Sequence, residues 1–249
     1  MKLDPLHPFE LPPYLDLSLF GIDISLNKAV ITMWIVIALI AWLFLQAARE
    51  QRLVPTKVQL VGEELVGFIR SMILDTMGEK GMRFFPFIAS LFLFILFCNL
   101  VGLVPGAYTV TSQLIVTGGF ALFVYSMSIV LGFALHGIKF IGILVPPGIP
   151  WVLVPLMVPI EIISQLARPL SLAVRLFANM TAGHTMLAVL FGMAVALPLW
   201  IGWVPFVFTV AIYALELMIA FIQAYIFTIL SCVYLGDAIH PHGQSEGAH

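Results

Sequence analysis

Four ionisable residues, Glu161, Arg168, Arg175 and His184, stand in the otherwise apolar stretch between Trp151 and Trp200. At the centre of a bilayer each would cost roughly 2.5–3.5 kcal/mol on insertion scales. Such groups persist where they face a protein interior, a water-filled cavity or a charged partner, so the chemistry they suggest is movement of protons or ions. Glu161, Ser164, Gln165, Arg168, Ser171, Arg175 and Asn179 follow one another mostly three or four residues apart, which makes one polar stripe along a helix. His184 is out of step with that stripe and falls on the opposite side of an ideal helix from Arg175.

A second long apolar stretch, residues 204–235, contains Glu216, Gln223 and Ser231. In an antiparallel hairpin, residues whose numbers share one sum lie level. His184 with Glu216, Arg175 with Gln223 and Arg168 with Ser231 have nearly the same sum, and its midpoint falls in the segment between the two stretches. One register therefore brings these polar groups to matching depths. A histidine–carboxylate pair can pass protons near neutral pH. Arginine cannot, because it stays protonated; Arg175 suits a fixed positive charge, and Gln223 could orient its guanidinium without neutralising it.

The residue types leave some assignments open. Arg168 fits a channel residue or a side chain snorkelling to the interface. Glu161 either pairs with Arg168 or lines a water path. His184 and Glu216 also suit a structural hydrogen-bonded pair, but two ligands are too few for a metal site.

The elements that must position these groups are membrane helices. Of the 249 residues, 61% are hydrophobic and 10% charged, against about 25% charged in soluble domains. The net charge of −2 gives no reason to expect a nucleic-acid partner. Neither a phosphate-binding GxxxxGK[ST] loop nor a GxGxxG fingerprint is present, and no nucleophile–base pair stands out, so no catalytic site or cofactor is expected. Cys98 and Cys232 read as small buried hydrophobes. His240, His242 and His249 read as a solvated tail.

Residues 1–28 form a Pro-rich, mildly acidic arm without the pattern of a cleaved signal peptide. Residues 29–48, 84–104 and 114–135 are expected spans. Residues 56–80 are expected as an amphipathic surface helix, with Val58, Val61, Leu65, Phe68, Met72 and Thr76 on its apolar face. Lys139 and the breaker run Pro146–Pro150 precede the long segments 151–199 and 204–235, which are followed by the tail 236–249. Fully helical, these two segments would be about 74 and 48 Å long, against about 30 Å of hydrocarbon. A steeply tilted hairpin resolves the mismatch, or bending at Pro155, Pro159 and Pro169. The fold class expected is thus an all-α polytopic membrane protein with five membrane helices and one surface helix. Arg49, Arg52, Lys57, Arg70, Lys80, Arg83 and Lys139 put the surface helix and the loop after the third span on the cytoplasmic side, with the N-terminal arm outside and the C-terminus cytoplasmic.

The run Arg168-Pro-Leu-Ser-Leu-Ala-Val-Arg175-Leu-Phe-Ala-Asn179-Met-Thr-Ala-Gly-His184 resembles the signature of subunit a of F-type ATP synthase. Tyr213-Ala-Leu-Glu216-Leu-Met-Ile-Ala-Phe-Ile-Gln223-Ala-Tyr225 is similar to that family's last helix. The resemblance implies a stator subunit with two proton half-channels leading to a ring of c subunits, within a complex that includes peripheral-stalk b subunits and the F1 sector. The setting implied is an energy-coupling membrane, of the bacterial inner-membrane type or mitochondrial. Arg175 matches the family's essential arginine, and Asn179 and Gln223 match polar positions near it. His184 and Glu216 match a pair in the outer half-channel, while Glu161 and Ser171 match inner-channel positions. A self-contained proton-coupled transporter is the competing expectation, but no inverted repeat is visible.

Overall fold

The computed structural model describes residues 18–19, 22–23, 27–49, 56–104, 110–137 and 153–239. Most of the N-terminal arm, Arg52, Lys139, Pro146–Pro150 and the tail histidines His240, His242 and His249 lie outside the described residues. Six α-helices are described: α1 (Lys28–Arg49), α2 (Lys57–Met77), α3 (Phe85–Gly102), α4 (Leu114–His136), α5 (Val154–Ala196) and α6 (Leu199–Ile239). In the arm, Ser18–Leu19 and Ile22–Asp23 pair as a two-residue antiparallel ladder. All the helices but α2 are long and apolar enough to cross a membrane, and the chain is an all-α polytopic membrane protein.

Local chemistry sets the helix ends. Thr56 caps α2, its hydroxyl accepting from the Gln59 amide at 3.4 Å. Gly78 and Gly137 follow α2 and α4 with φ of 67° and 57°, and their amides donate to Leu74 and Phe133. A side chain at either position would strain the left-handed backbone that closes the helix.

The core sits where α2, α3, α4, α5 and α6 meet. Ile88, Leu91, Phe92, Ile95 and Leu96 of α3 pack with Ile69 and Ile73 of α2, Leu172 and Leu176 of α5, and Phe227 and Leu235 of α6. Ala220 and Ala224, both fully buried, present a small-residue face on α6 that lets neighbouring backbones approach. Asn99 on α3 donates from Nδ2 to the Ala220 carbonyl at 3.2 Å.

Two details differ from the sequence expectations. The packed face of α2 is Gln59, Gly62, Ile69, Met72, Ile73 and Met77, while Val61 and Phe68 are exposed. The face is turned by about one residue because its packing is chosen by α1, α3 and α6, not by hydrophobicity alone. The hairpin turn is also tighter than residues 198–205. Helix α5 ends at Ala196 and α6 starts at Leu199, with Leu197 extended at φ −83°, ψ 152°. Residue 197 precedes Pro198, which disfavours the helical region there. A Cβ on Gly202 would lie 2.7 Å from the Ala194 carbonyl oxygen, so its hydrogen side chain lets the helices close at the turn.

Helix α5 runs unbroken through Pro159 and Pro169. Its 43 residues and the 41 of α6 correspond to about 64 and 62 Å, twice the thickness of a hydrocarbon core of about 30 Å. An unbroken helix of that length must lie well away from the bilayer normal or project beyond the hydrocarbon.

Candidate functional site

Helix α5 presents two distinct faces along its middle third. Pro169, Leu172, Ala173, Leu176 and Met180 are buried. Arg168, Ser171, Arg175, Ala178 and Ala182 recur at spacings of three and four and are all exposed. The polar stripe divides along its length. Glu161, Ser164 and Gln165 are half-buried, with Gln165 Nε2 donating to Glu161 Oε1 at 3.3 Å; Arg168, Ser171 and Arg175 face outward; Asn179 is half-buried. His184 falls four residues after Met180, in step with the packed face, and is half-buried. It therefore does not share the Arg175 face.

Helix α6 is polar on its inner side. Glu216 is 7% exposed and Gln223 2%, and both follow the packed line through Ala220, Ala224 and Phe227. Thr228 and Ser231 on the same line donate to carbonyls of their own helix, both at 2.8 Å. The outer side carries Leu217, Met218, Phe221, Ile222 and Tyr225, all exposed. The exposed faces of α5 and α6 thus differ: two guanidinium groups, Arg168 and Arg175, interspersed with small residues on one, bulky apolar and aromatic groups on the other.

The two helices approach each other closely at Gly183 and Glu216. A Cβ built on Gly183 would collide with Oε1, Cδ and Cγ of Glu216, so the carboxylate occupies the space that any other residue at 183 would fill. This contact falls at the hairpin register that makes His184 and Glu216 level. It is Gly183, though, whose backbone lies against the carboxylate, and neither Glu216 oxygen accepts a hydrogen bond from the described residues. A direct His184–Glu216 hydrogen bond is therefore not formed.

Other buried polar atoms with no hydrogen-bond partner among the described residues include Gln223 Nε2, Asn99 Oδ1 and Thr181 Oγ1. Asn99 joins Ala220, which lies on α6 between Glu216 and Gln223, so the α3 amide faces the same inner line. Sequence reasoning overlooked Asn99; its signal was a lone amide in the apolar run 84–104. It also overlooked Gly183 as a steric requirement.

No group of three or more His, Cys, Asp or Glu that could hold a metal occurs among the described residues. Cys98 and Cys232 are free and buried.

This is a multi-pass membrane protein whose last two helices set a buried carboxylate and an outward-facing arginine at different depths. Residues 30–236 match the family described as ATP synthase A chain, and the chain belongs to that family. It is 48% identical to ATP synthase subunit a of Magnetococcus marinus, over 97% of this chain and 95% of that protein. It is 45% identical to ATP synthase subunit a of Pelagibacter ubique, over 97% of this chain and all of the relative. ATP synthase subunit a 1 of Brucella anthropi is 44% identical, over 97% and 99% of the two chains. Family membership makes the chain a membrane subunit of ATP synthase and not a free-standing protein.

Proposed function

We propose that this chain is the stator that offers two offset proton half-channels to a rotating ring of c subunits, and so couples proton flow to ring rotation and ATP synthesis. The observation that carries the reading is the placement of Arg175. It is exposed on the outer face of α5, and no acidic partner is found for it among the described residues. A guanidinium within an apolar span needs a negative partner or water, and a carboxylate on a neighbouring ring meets that need.

The chemistry follows from charge. A ring carboxylate facing lipid is held protonated, because a bare charge there is costly. Opposite Arg175 it ionises, since an opposite charge favours the carboxylate form. A proton is therefore released before the site passes Arg175 and taken up after it. Arg175 itself never gives up a proton and so blocks direct leakage between the half-channels.

Glu216, His184, Asn179 and Gln223 supply the outer half-channel and the region beside Arg175. The buried, unsatisfied oxygens of Glu216 and the Gln223 amide support this, because they offer hydrogen-bonding capacity that the protein leaves unused. Glu161, Ser171 and Arg168 belong to the inner half-channel, on the cytoplasmic side. Protons crossing at about 2.3 kcal/mol per 100 mV must be combined to make one ATP, which rotation does mechanically. The partners proposed are the c ring, peripheral-stalk b subunits, the F1 sector through the assembled complex, and membrane lipid. No cofactor is needed, and the membrane is the bacterial inner membrane, with the N-terminus outside and the C-terminus in the cytoplasm.

Mild-detergent purification through a tag on this chain tests the reading. A c ring and soluble ATPase subunits should copurify, and the reconstituted assembly should pump protons on ATP addition. A chain that is isolated alone and transports on its own contradicts it.

A further inference from the structure

The hairpin end remote from its turn holds a buried polar group that the proposal above does not use. Tyr234 on α6 is 7% exposed. Its ring meets Tyr125 of α4 edge-on, with centroids 6.0 Å apart and planes at 77°. The ring position is thereby set by packing between two helices. Its hydroxyl is buried and has no hydrogen-bond partner among the described residues.

A phenol both donates and accepts, and a buried one is normally satisfied by protein or by ordered water. Arg168 of α5, Asp237 of α6 and Tyr125 are the ionisable groups within electrostatic reach of Tyr234. Arg168 is exposed and Asp237 half-buried, so the group lies close to the protein surface at this end. Along α6, Tyr234 follows Glu216 by 18 residues, about 27 Å of helix towards the end remote from the turn.

We infer that Tyr234 is a positioning residue of the inner half-channel, its hydroxyl ordering the water through which protons pass between the aqueous phase at Arg168 and the ring. The phenol keeps its own proton. It accepts a hydrogen bond from one water and donates to the next, while the transferred proton moves along the water chain. The inference rests on the proton-conducting reading of this chain.

The test uses assembled complexes stripped of the F1 sector in proteoliposomes of uniform orientation, compared at equal c-ring content. Tyr234→Phe keeps the ring against Tyr125 and removes the hydroxyl. Potential-driven conduction should fall about fivefold, as for loss of one hydrogen bond on the path. The half-saturating proton concentration should change on the Tyr234 side alone. Tyr234→His, which restores a ring with a hydrogen-bonding edge, should conduct better than Tyr234→Phe. Wild-type conduction in Tyr234→Phe overturns the inference. So does slower conduction with both proton dependences unchanged, because that signals only looser packing, and so does a Tyr234→His complex no better than Tyr234→Phe. A wild-type complex that conducts no protons would instead overturn the underlying reading.

Discussion

The carboxylate of Glu216 lies against the backbone of Gly183, in space that a Cβ at position 183 would occupy. This contact joins the two long helices at one level and brings a carboxyl group onto α5 immediately before His184. Glycine serves here for closeness of approach: its φ is not in the left-handed region, so alanine would be acceptable to the backbone but would require the Glu216 carboxylate to shift.

Gly183→Ala should therefore act through Glu216. The added methyl must displace the Glu216 carboxylate, the far end of a flexible side chain, from its place against α5. ATP-driven proton pumping should drop about tenfold or more, and adding Glu216→Asp, which shortens the side chain, should restore part of it. Pumping by Gly183→Ala at the wild-type rate would show that the contact has no functional weight.

His184 and Glu216 stand level without a hydrogen bond between them. If both serve one proton path, their order should matter less than their joint presence. The exchange His184→Glu with Glu216→His should retain more ATP synthesis than either single change, with a clear coupling energy in the double-mutant cycle. A double variant no better than the worse single variant would separate their roles.

Asn99 holds α3 to the Ala220 carbonyl of α6 at 3.2 Å. Interhelical hydrogen bonds of this kind contribute about 0.6 kcal/mol, and up to about 1.7. Asn99→Leu should lower the temperature at which the detergent-solubilised complex loses this subunit by a few degrees. An unchanged or higher temperature would assign the packing to the alanine face alone.

Much of this architecture is legible in the residues. The apolar runs are long enough that only helices can satisfy their backbone groups in lipid, and the polar residues of the last two runs align about one turn. What escaped reading depends on the packing partners. The face of α2 is turned because three helices choose it. The turn tightened to Leu197 and Pro198 because the residues after Pro198 continue the helix, which paired tryptophans alone do not reveal. Glu216 and His184 could be put at one depth, but rotation about each helix decides which atoms touch, and that placed Gly183 against the carboxylate. Asn99 was visible as a lone amide, yet its partner is a backbone carbonyl 121 residues away, which no local pattern discloses.

In the proposed mechanism Arg175 works against a charge supplied by the ring. ATP synthesis by reconstituted complexes carrying Arg175→Ala tests it most directly, once the c ring and F1 sector are shown to be present in normal amounts. No synthesis and no ATP-driven pumping are expected, with protons now able to leak between the proposed half-channels. Synthesis at the wild-type rate in that assembled complex would contradict it.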